Sequence, residues 1–195
     1  MDMQTGAQKG LAPVTYLIDK AVSRFSVQAF ATGILSSFGH NPKIEVRDYE
    51  AEIQCVPGTL EKAVLRVTVQ TSGMEVLDEM KKSDRQKLEE EMYEKVLDSA
   101  HFPTAIYESK EITVQKMTDS LLKVHANGTL SFHGAVQPQS VQANVTVQGA
   151  LLRIAGDFSL RQSDYGIKPV SFAAGALRLK DELKFIFDLV ARRKD

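Results

Sequence analysis

The chain has 195 residues, about the length of one generous domain. It carries 24 Lys and Arg against 25 Asp and Glu, a net charge of −1, which argues against a broad basic face for nucleic acid. Trp is absent and only 7% of the residues are aromatic, so a platform for stacking bases is not expected either. The single cysteine, Cys55, excludes an internal disulfide and a cysteine-based zinc cage.

The N-terminal residues 1–13 have neither the positive n-region nor the apolar h-region of a signal peptide. No window reaches the roughly 18 apolar residues that a spanning helix requires. We therefore expect a flexible segment over 1–13, a single domain over 14–195, no stable membrane insertion and a cytoplasmic location.

Most of the chain after residue 13 alternates apolar and polar residues, a pattern typical of strands with one buried face. Candidate strands are 24–31, 44–56, 65–69, 106–114, 121–132, 141–147, 151–160, 176–179 and 183–191. The turn signals interpreted as separating them are Pro57-Gly58, Asn127-Gly128, Gly134, Gly149, Gly156, Asp164–Gly166 and Gly175. Eight to ten antiparallel strands predict an all-β barrel or sandwich.

One segment, residues 75–95, breaks this alternation with 13 charged residues in 21. Ser83 followed by Gln86 has the spacing of a capping box, and the apolar residues after it recur at i, i+4 and i+8. These features predict one amphipathic helix within residues 83–97, lying on or across the barrel.

The residues with catalytic or metal-binding chemistry form no local motif. His40, His101, His125 and His133 lack metal-ligand spacing, and the nucleophile-elbow and phosphate-binding glycine motifs are missing. Cys55 lies in a candidate strand, where we expect a buried structural thiol. We therefore expect no enzyme activity, no metal and no cofactor.

An eight-stranded barrel is just wide enough to be filled by its own side chains or to hold one elongated ligand, and periodicity does not separate the two. Polar neighbours decide which side chains face inward. The inward residues predicted in this way are Val67, Val69, Val145, Val147, Leu177, Leu179, Phe185 and Phe187. Such a lining suits a hydrocarbon chain, because burying each CH₂ contributes about 0.8 kcal/mol and requires no directional partner.

Several stretches in chain order carry a resemblance to a known family. They are 16–25 (YLIDKAVSRF), 97–109 (LDSAHFPTAIYES), 128–134 (GTLSFHG), 137–141 (QPQSV) and 163–167 (SDYGI). Together they resemble the YceI-like family of lipid-binding barrels, often described as polyisoprenoid-binding. The chain departs from the family pattern at Val22, where His is common, and in its long charged helical segment.

The resemblance implies an antiparallel, eight-stranded, lipocalin-like barrel with one inserted amphipathic helix. It implies a hydrophobic pore that holds an apolar, lipid-like molecule (an isoprenoid, a quinone or a fatty-acyl chain), no established catalytic activity, and a homodimer as one assembly. Family positions add further residues to the predicted pore, namely Tyr107, Leu130, Phe132, Phe158 and Leu160. The Tyr107 phenol is expected to bond a quinone or headgroup oxygen.

Two other classes of function stay open. One is an interaction or stress-response scaffold with a filled barrel, in which the charged helix is the contact surface. The other is an enzyme that acts on a lipidic substrate.

Overall fold

Strands form where the sequence alternates. The computed structural model describes residues 12–32, 41–172 and 177–194. Its strands are β1 Val14–Ile18, β2 Arg24–Gln28, β3 Ala31–Thr32, β4 Lys43–Val46, β5 Tyr49–Cys55, β6 Val64–Gln70, β7 Met74–Val76, β8 Thr104–Lys116, β9 Leu121–Phe132, β10 Ala135–Gln148, β11 Leu151–Arg161, β12 Ser171–Phe172, β13 Leu177–Leu179 and β14 Glu182–Arg193. The predicted flexible segment 1–13 falls almost wholly outside the described residues, as does His40.

Eight of these strands close into an antiparallel barrel in the order β1-β5-β6-β8-β9-β10-β11-β14. The ring closes because β14 pairs with β1, where Ala191 lies opposite Ile18. Beside β1, strand β2 pairs with the first half of β14, and β4 and β7 follow it. The predicted all-β, eight-stranded barrel is therefore confirmed. Strand β13 lies outside this barrel, in a three-stranded sheet with β12 and β3.

Two predicted turns are wrong. Asn127-Gly128 lies inside β9 and Gly156 lies inside β11, and both strands continue through these residues without a break. Glycine inside a strand often marks a place where another group approaches the backbone closely. Both glycines have such a neighbour, because a Cβ added at Gly128 would lie 2.9 Å from the Tyr107 ring and one at Gly156 would lie 2.8 Å from the Phe187 ring.

The charged segment folds as the predicted helix. Helix α1, Lys82–Glu91, continues into a π-helical turn over Met92–Val96. The predicted capping box is absent, because the helix begins after Lys81 and Ser83 only approaches the neighbouring Asp84 carboxylate at 3.5 Å. No described helix is long and apolar enough to cross a membrane.

The π-helical turn after α1 packs on the hydrophobic core. Met92, Tyr93 and Val96 pack against a core cluster that includes Val46 and Phe132. The helix is also tied to the edge strand β7 by side chains. The Val76 amide donates to a Glu89 carboxylate oxygen at 2.9 Å, and the Tyr93 hydroxyl donates to the Met74 carbonyl.

Candidate functional site

An elongated cavity of about 180 Å³ lies inside the barrel. All eight barrel strands contribute side chains to its wall. On β9 the wall runs from Val124 to Phe132, which is about 26 Å of strand and, at the usual tilt, about 20 Å along the barrel axis. Among the described residues of the wall, only Tyr107 and Gln139 have polar side chains. The lumen is therefore long, narrow and almost wholly apolar.

Most of the sequence-predicted pore residues lie in this wall. They are Val67, Val69, Tyr107, Leu130, Phe132, Val145, Phe158, Leu160, Phe185 and Phe187. Three do not join them. Val147 packs against the apolar cluster at the opposite end from the helix, Leu179 is half-buried in β13 outside the barrel, and the Leu177 side chain lies outside the described residues.

The structure adds wall residues that the sequence prediction missed. Some of them continue a face already identified, such as Val141 and Ala143 on β10. Their alternation with polar residues was available in the sequence and could have found them. Others, such as Leu60 and Ala63 in the β5–β6 loop, carry no periodic signal, because a loop has no fixed face.

The hydroxyl of Tyr107 is committed to the protein. It donates to the Ala126 carbonyl oxygen at 3.1 Å, with the Gln139 carbonyl oxygen at 3.5 Å. Burial raises the pKa of this phenol to about 12, so it keeps its proton at neutral pH. The phenol therefore donates its one proton to its own wall, which leaves none for the quinone or headgroup oxygen predicted from the sequence.

Aromatic rings from β2, β11 and β14 form a group in the lumen wall. Phe158 and Phe185 stack with centroids 4.7 Å apart and planes within 7°. Phe25 is tilted against Phe185 at 6.3 Å. Phe187, two residues further along β14, lies opposite Gly156 on β11. These rings supply a polarisable surface that requires no polar partner from a ligand.

The outer face of β14 carries the charges that the alternation predicts. Lys184 forms an ion pair with Asp157 at 3.2 Å, and Asp188 accepts two hydrogen bonds from Arg153 at 2.9 and 2.7 Å. The hydrogen bonds from Arg153 lower the pKa of the Asp188 carboxyl. These charged side chains lie on the opposite face of the strand from Phe185, so the two faces differ sharply in polarity.

Groups with catalytic or metal-binding chemistry lie apart from one another. Within 12–32, 41–172 and 177–194, no three His, Cys, Asp or Glu side chains are placed to share a metal ion. His101 contacts Asp98 at 2.8 Å on the surface, and His133 contacts the Tyr165 carbonyl oxygen at 3.1 Å. Cys55 is buried as predicted, and burial raises the pKa of its thiol.

The fold and the site together define a class of protein: closed antiparallel barrels with one packed helix and an apolar lumen. The chain belongs to the YceI-like domain family, whose model matches residues 16–191. This match confirms the resemblance noted in the sequence. A search of the curated proteins finds no match.

Solved structures share this fold at low sequence identity. BcnA of Burkholderia cenocepacia has a TM-score of 0.69 at 16% identity, covering 89% of this chain and 98% of its own. A polyisoprenoid binding domain from Saccharophagus degradans, implicated in plant cell wall breakdown, has a TM-score of 0.63 at 11% identity, with 92% and 98% covered. The Campylobacter jejuni YceI protein has a TM-score of 0.61 at 16% identity, with 80% and 88% covered.

Proposed function

We propose that this protein is a non-catalytic carrier that holds the hydrocarbon chain of an isoprenoid, quinone or fatty-acyl molecule in its barrel. The observation that carries the proposal is the long, almost wholly apolar lumen. Moving a hydrocarbon chain from water to such a wall is favourable, since burial of each CH₂ contributes about 0.8 kcal/mol. A polar group placed there would find almost no partner and would cost free energy.

The size of the lumen supports a slender guest. A dry apolar cavity of about 150 Å³ is enough to bind benzene, whereas pockets for drug-sized ligands range from about 300 to 1,000 Å³. At about 180 Å³, the lumen lies between these two cases. Its length of about 20 Å then favours a thin chain over a compact ring system.

The same volume favours binding over a filled scaffold. Protein interiors pack as densely as organic crystals, with few voids larger than a water molecule. An apolar void of this size inside a small barrel is therefore a feature that a purely structural core does not need. The family relationship points the same way, because a relative of this fold is a polyisoprenoid binding domain.

The experiment compares bound lipid in the wild type, Phe185→Asp and Lys184→Ala after identical purification. Organic extracts of each protein are analysed by mass spectrometry. Phe185 lies in the lumen wall, where an unpaired carboxylate must take up a proton or recruit water, and either change disfavours a hydrocarbon. Lys184 lies on the outer face of the same strand, so its replacement is the matched control.

We expect near-stoichiometric lipid in the wild type and in Lys184→Ala, and at least a tenfold loss in a folded Phe185→Asp. A wild type that is reproducibly empty would favour the scaffold. Equal lipid in a folded Phe185→Asp would place the guest outside the barrel.

A further inference from the structure

Gly128 leaves room on the wall for an aromatic ring. Tyr107 lies on the neighbouring strand β8, and its ring crosses the β9 backbone at Gly128 to reach the Ala126 carbonyl. A Cβ added at Gly128 would lie 2.9 Å from both Cζ and the hydroxyl oxygen of Tyr107. It would also collide with the Glu108 carbonyl oxygen. Only a residue without a side chain allows the ring this position.

Gly156 serves a second ring in the same way. Phe187 is its direct partner across the β11–β14 ladder. A Cβ at Gly156 would lie 2.8 Å from Cζ of Phe187 and 3.1 Å from the Ala143 Cα, and it would collide with the Gln142 carbonyl oxygen. The Phe187 ring therefore lies against the backbone of the wall in the place that a side chain would otherwise occupy.

The two rings start from opposite sides of the barrel. In the order of the eight strands, β8 and β14 are separated by three strands in either direction. The ring from β8 covers β9, and the ring from β14 covers β11, so both lie on the part of the wall centred on β10. Ala126 and Ala143, also small, belong to the same part of the wall.

A ring displaced from either glycine would have to enter the lumen. A ring that moved into the lumen would occupy part of the roughly 180 Å³ available and narrow the passage for a chain. The two glycines therefore control how much of the lumen is open.

We infer that the pairs Gly128–Tyr107 and Gly156–Phe187 set the bore of the lumen and select the shape of its guest. The lumen accepts a slender chain and excludes fused rings, so a quinone-type ligand would place its chain inside and its ring outside. This inference rests on the proposed function and adds the selectivity of the same site.

The test measures the affinity for two fluorescent apolar probes in the full chain after delipidation. One probe is a straight polyene fatty acid, and the other is pyrene, a four-ring hydrocarbon. The key variant is Phe187→Leu, which removes the ring from above Gly156 without adding a polar group. The matched control is Phe102→Leu, the same change at a ring that also lies over a glycine, since a Cβ added at Gly134 would lie 2.9 Å from its Cε1, but that does not line the lumen.

We expect the wild type to prefer the polyene over pyrene by about tenfold or more, because the fused rings are wider than the lumen and even one methylene group too many in an apolar pocket costs about tenfold or more. Phe187→Leu should lower this preference by about tenfold, whereas Phe102→Leu should leave it within about twofold. Thermal unfolding of each variant checks that the barrel is intact.

Other outcomes overturn the inference in distinguishable ways. Equal changes in the two variants would show that a general loosening of the barrel, and not the glycine–ring pairs in the lumen, governs selection. Tight pyrene binding by the wild type would contradict the narrow bore and leave the carrier function standing. Binding of neither probe by the wild type, together with an empty lipid extract, would overturn the proposed function and the inference together.

Discussion

Glycines occur in two different regions of this barrel and do different work in each. Gly128 and Gly156 lie in mid-strand, where a Cβ would strike both a ring and a neighbouring backbone. Gly149 lies in the β10–β11 hairpin with φ at +61°, and a Cβ there would meet nothing within 4 Å. At the hairpin glycine is needed for its backbone conformation, whereas in the strands it is needed for the absent side chain. Glycine is therefore required in the strands and in the hairpin for two unrelated physical reasons.

The largest effect should follow from Gly156→Ala. The added methyl group overlaps the Gln142 carbonyl oxygen, so β10 and β11 must separate or the Phe187 ring must move. Overpacking of this kind costs about 3 kcal/mol at the upper end of its usual range. Denaturant unfolding of the variant and the wild type measures the difference. A loss below about 1 kcal/mol would show that the strands adjust easily and that the close approach has little consequence.

The loss of the free energy of unfolding at alkaline pH should depend on Tyr107. Burial raises its pKa to about 12, above the ordinary value of 10, so the folded state keeps a proton that the unfolded chain loses. This contribution is complete below pH 10 and is lost between about pH 10 and 12, at about 1.4 kcal/mol per pH unit. Tyr107→Phe should make the decline of the free energy of unfolding shallower over this range.

In Tyr107→Phe the free energy of unfolding should still decline at alkaline pH. Burial also raises the pKa of Tyr49, Tyr93 and Tyr165, and these phenols contribute in the same direction. Stability measured by denaturant at several pH values between 9 and 12 gives the two slopes. Identical slopes in the variant and the wild type would mean that the Tyr107 phenol ionises as freely in the barrel as in water.

The smallest effect should follow from Gly149→Ala. An alanine at positive φ costs about 1 kcal/mol through its own Cβ, and no neighbour adds to that cost. Lipid content should be unchanged, because the hairpin lies outside the lumen wall. If this substitution destabilised the protein as much as Gly156→Ala, the distinction between the two regions would fail.

Alternation in the sequence predicts the inward faces of strands better than it predicts where the lumen ends. Val145 and Val147 share one face of β10, yet only Val145 lines the cavity. Alternation tells on which face of one strand a side chain lies. The limit of the lumen depends instead on which side chains from other strands fill the barrel at that level. Leu179 shows a related difficulty, because its alternation is genuine but β13 belongs to another sheet.

Asn127-Gly128 shows how a local sequence pattern can predict the wrong structure. This dipeptide is the strongest short-range signal for a hairpin turn, and locally nothing contradicts it. Gly128 is needed because the Tyr107 ring lies over it, and the strand of Tyr107 is paired with β9 through the tertiary register. A glycine that exists for a partner some twenty residues away carries no local signature.

The sequence by itself determined the all-β class, the charged helix, the inward faces of β6, β10 and β14 and the family, because period-two alternation and ordered motifs are written along the chain. The tertiary structure alone decided that the barrel contains a cavity, where that cavity ends, and that Tyr107 bonds its own wall. The physical reason is closure. Pairing β1 with β14 brings together residues from the two ends of the chain, and the space left between eight strands depends on side chains that no local window contains together.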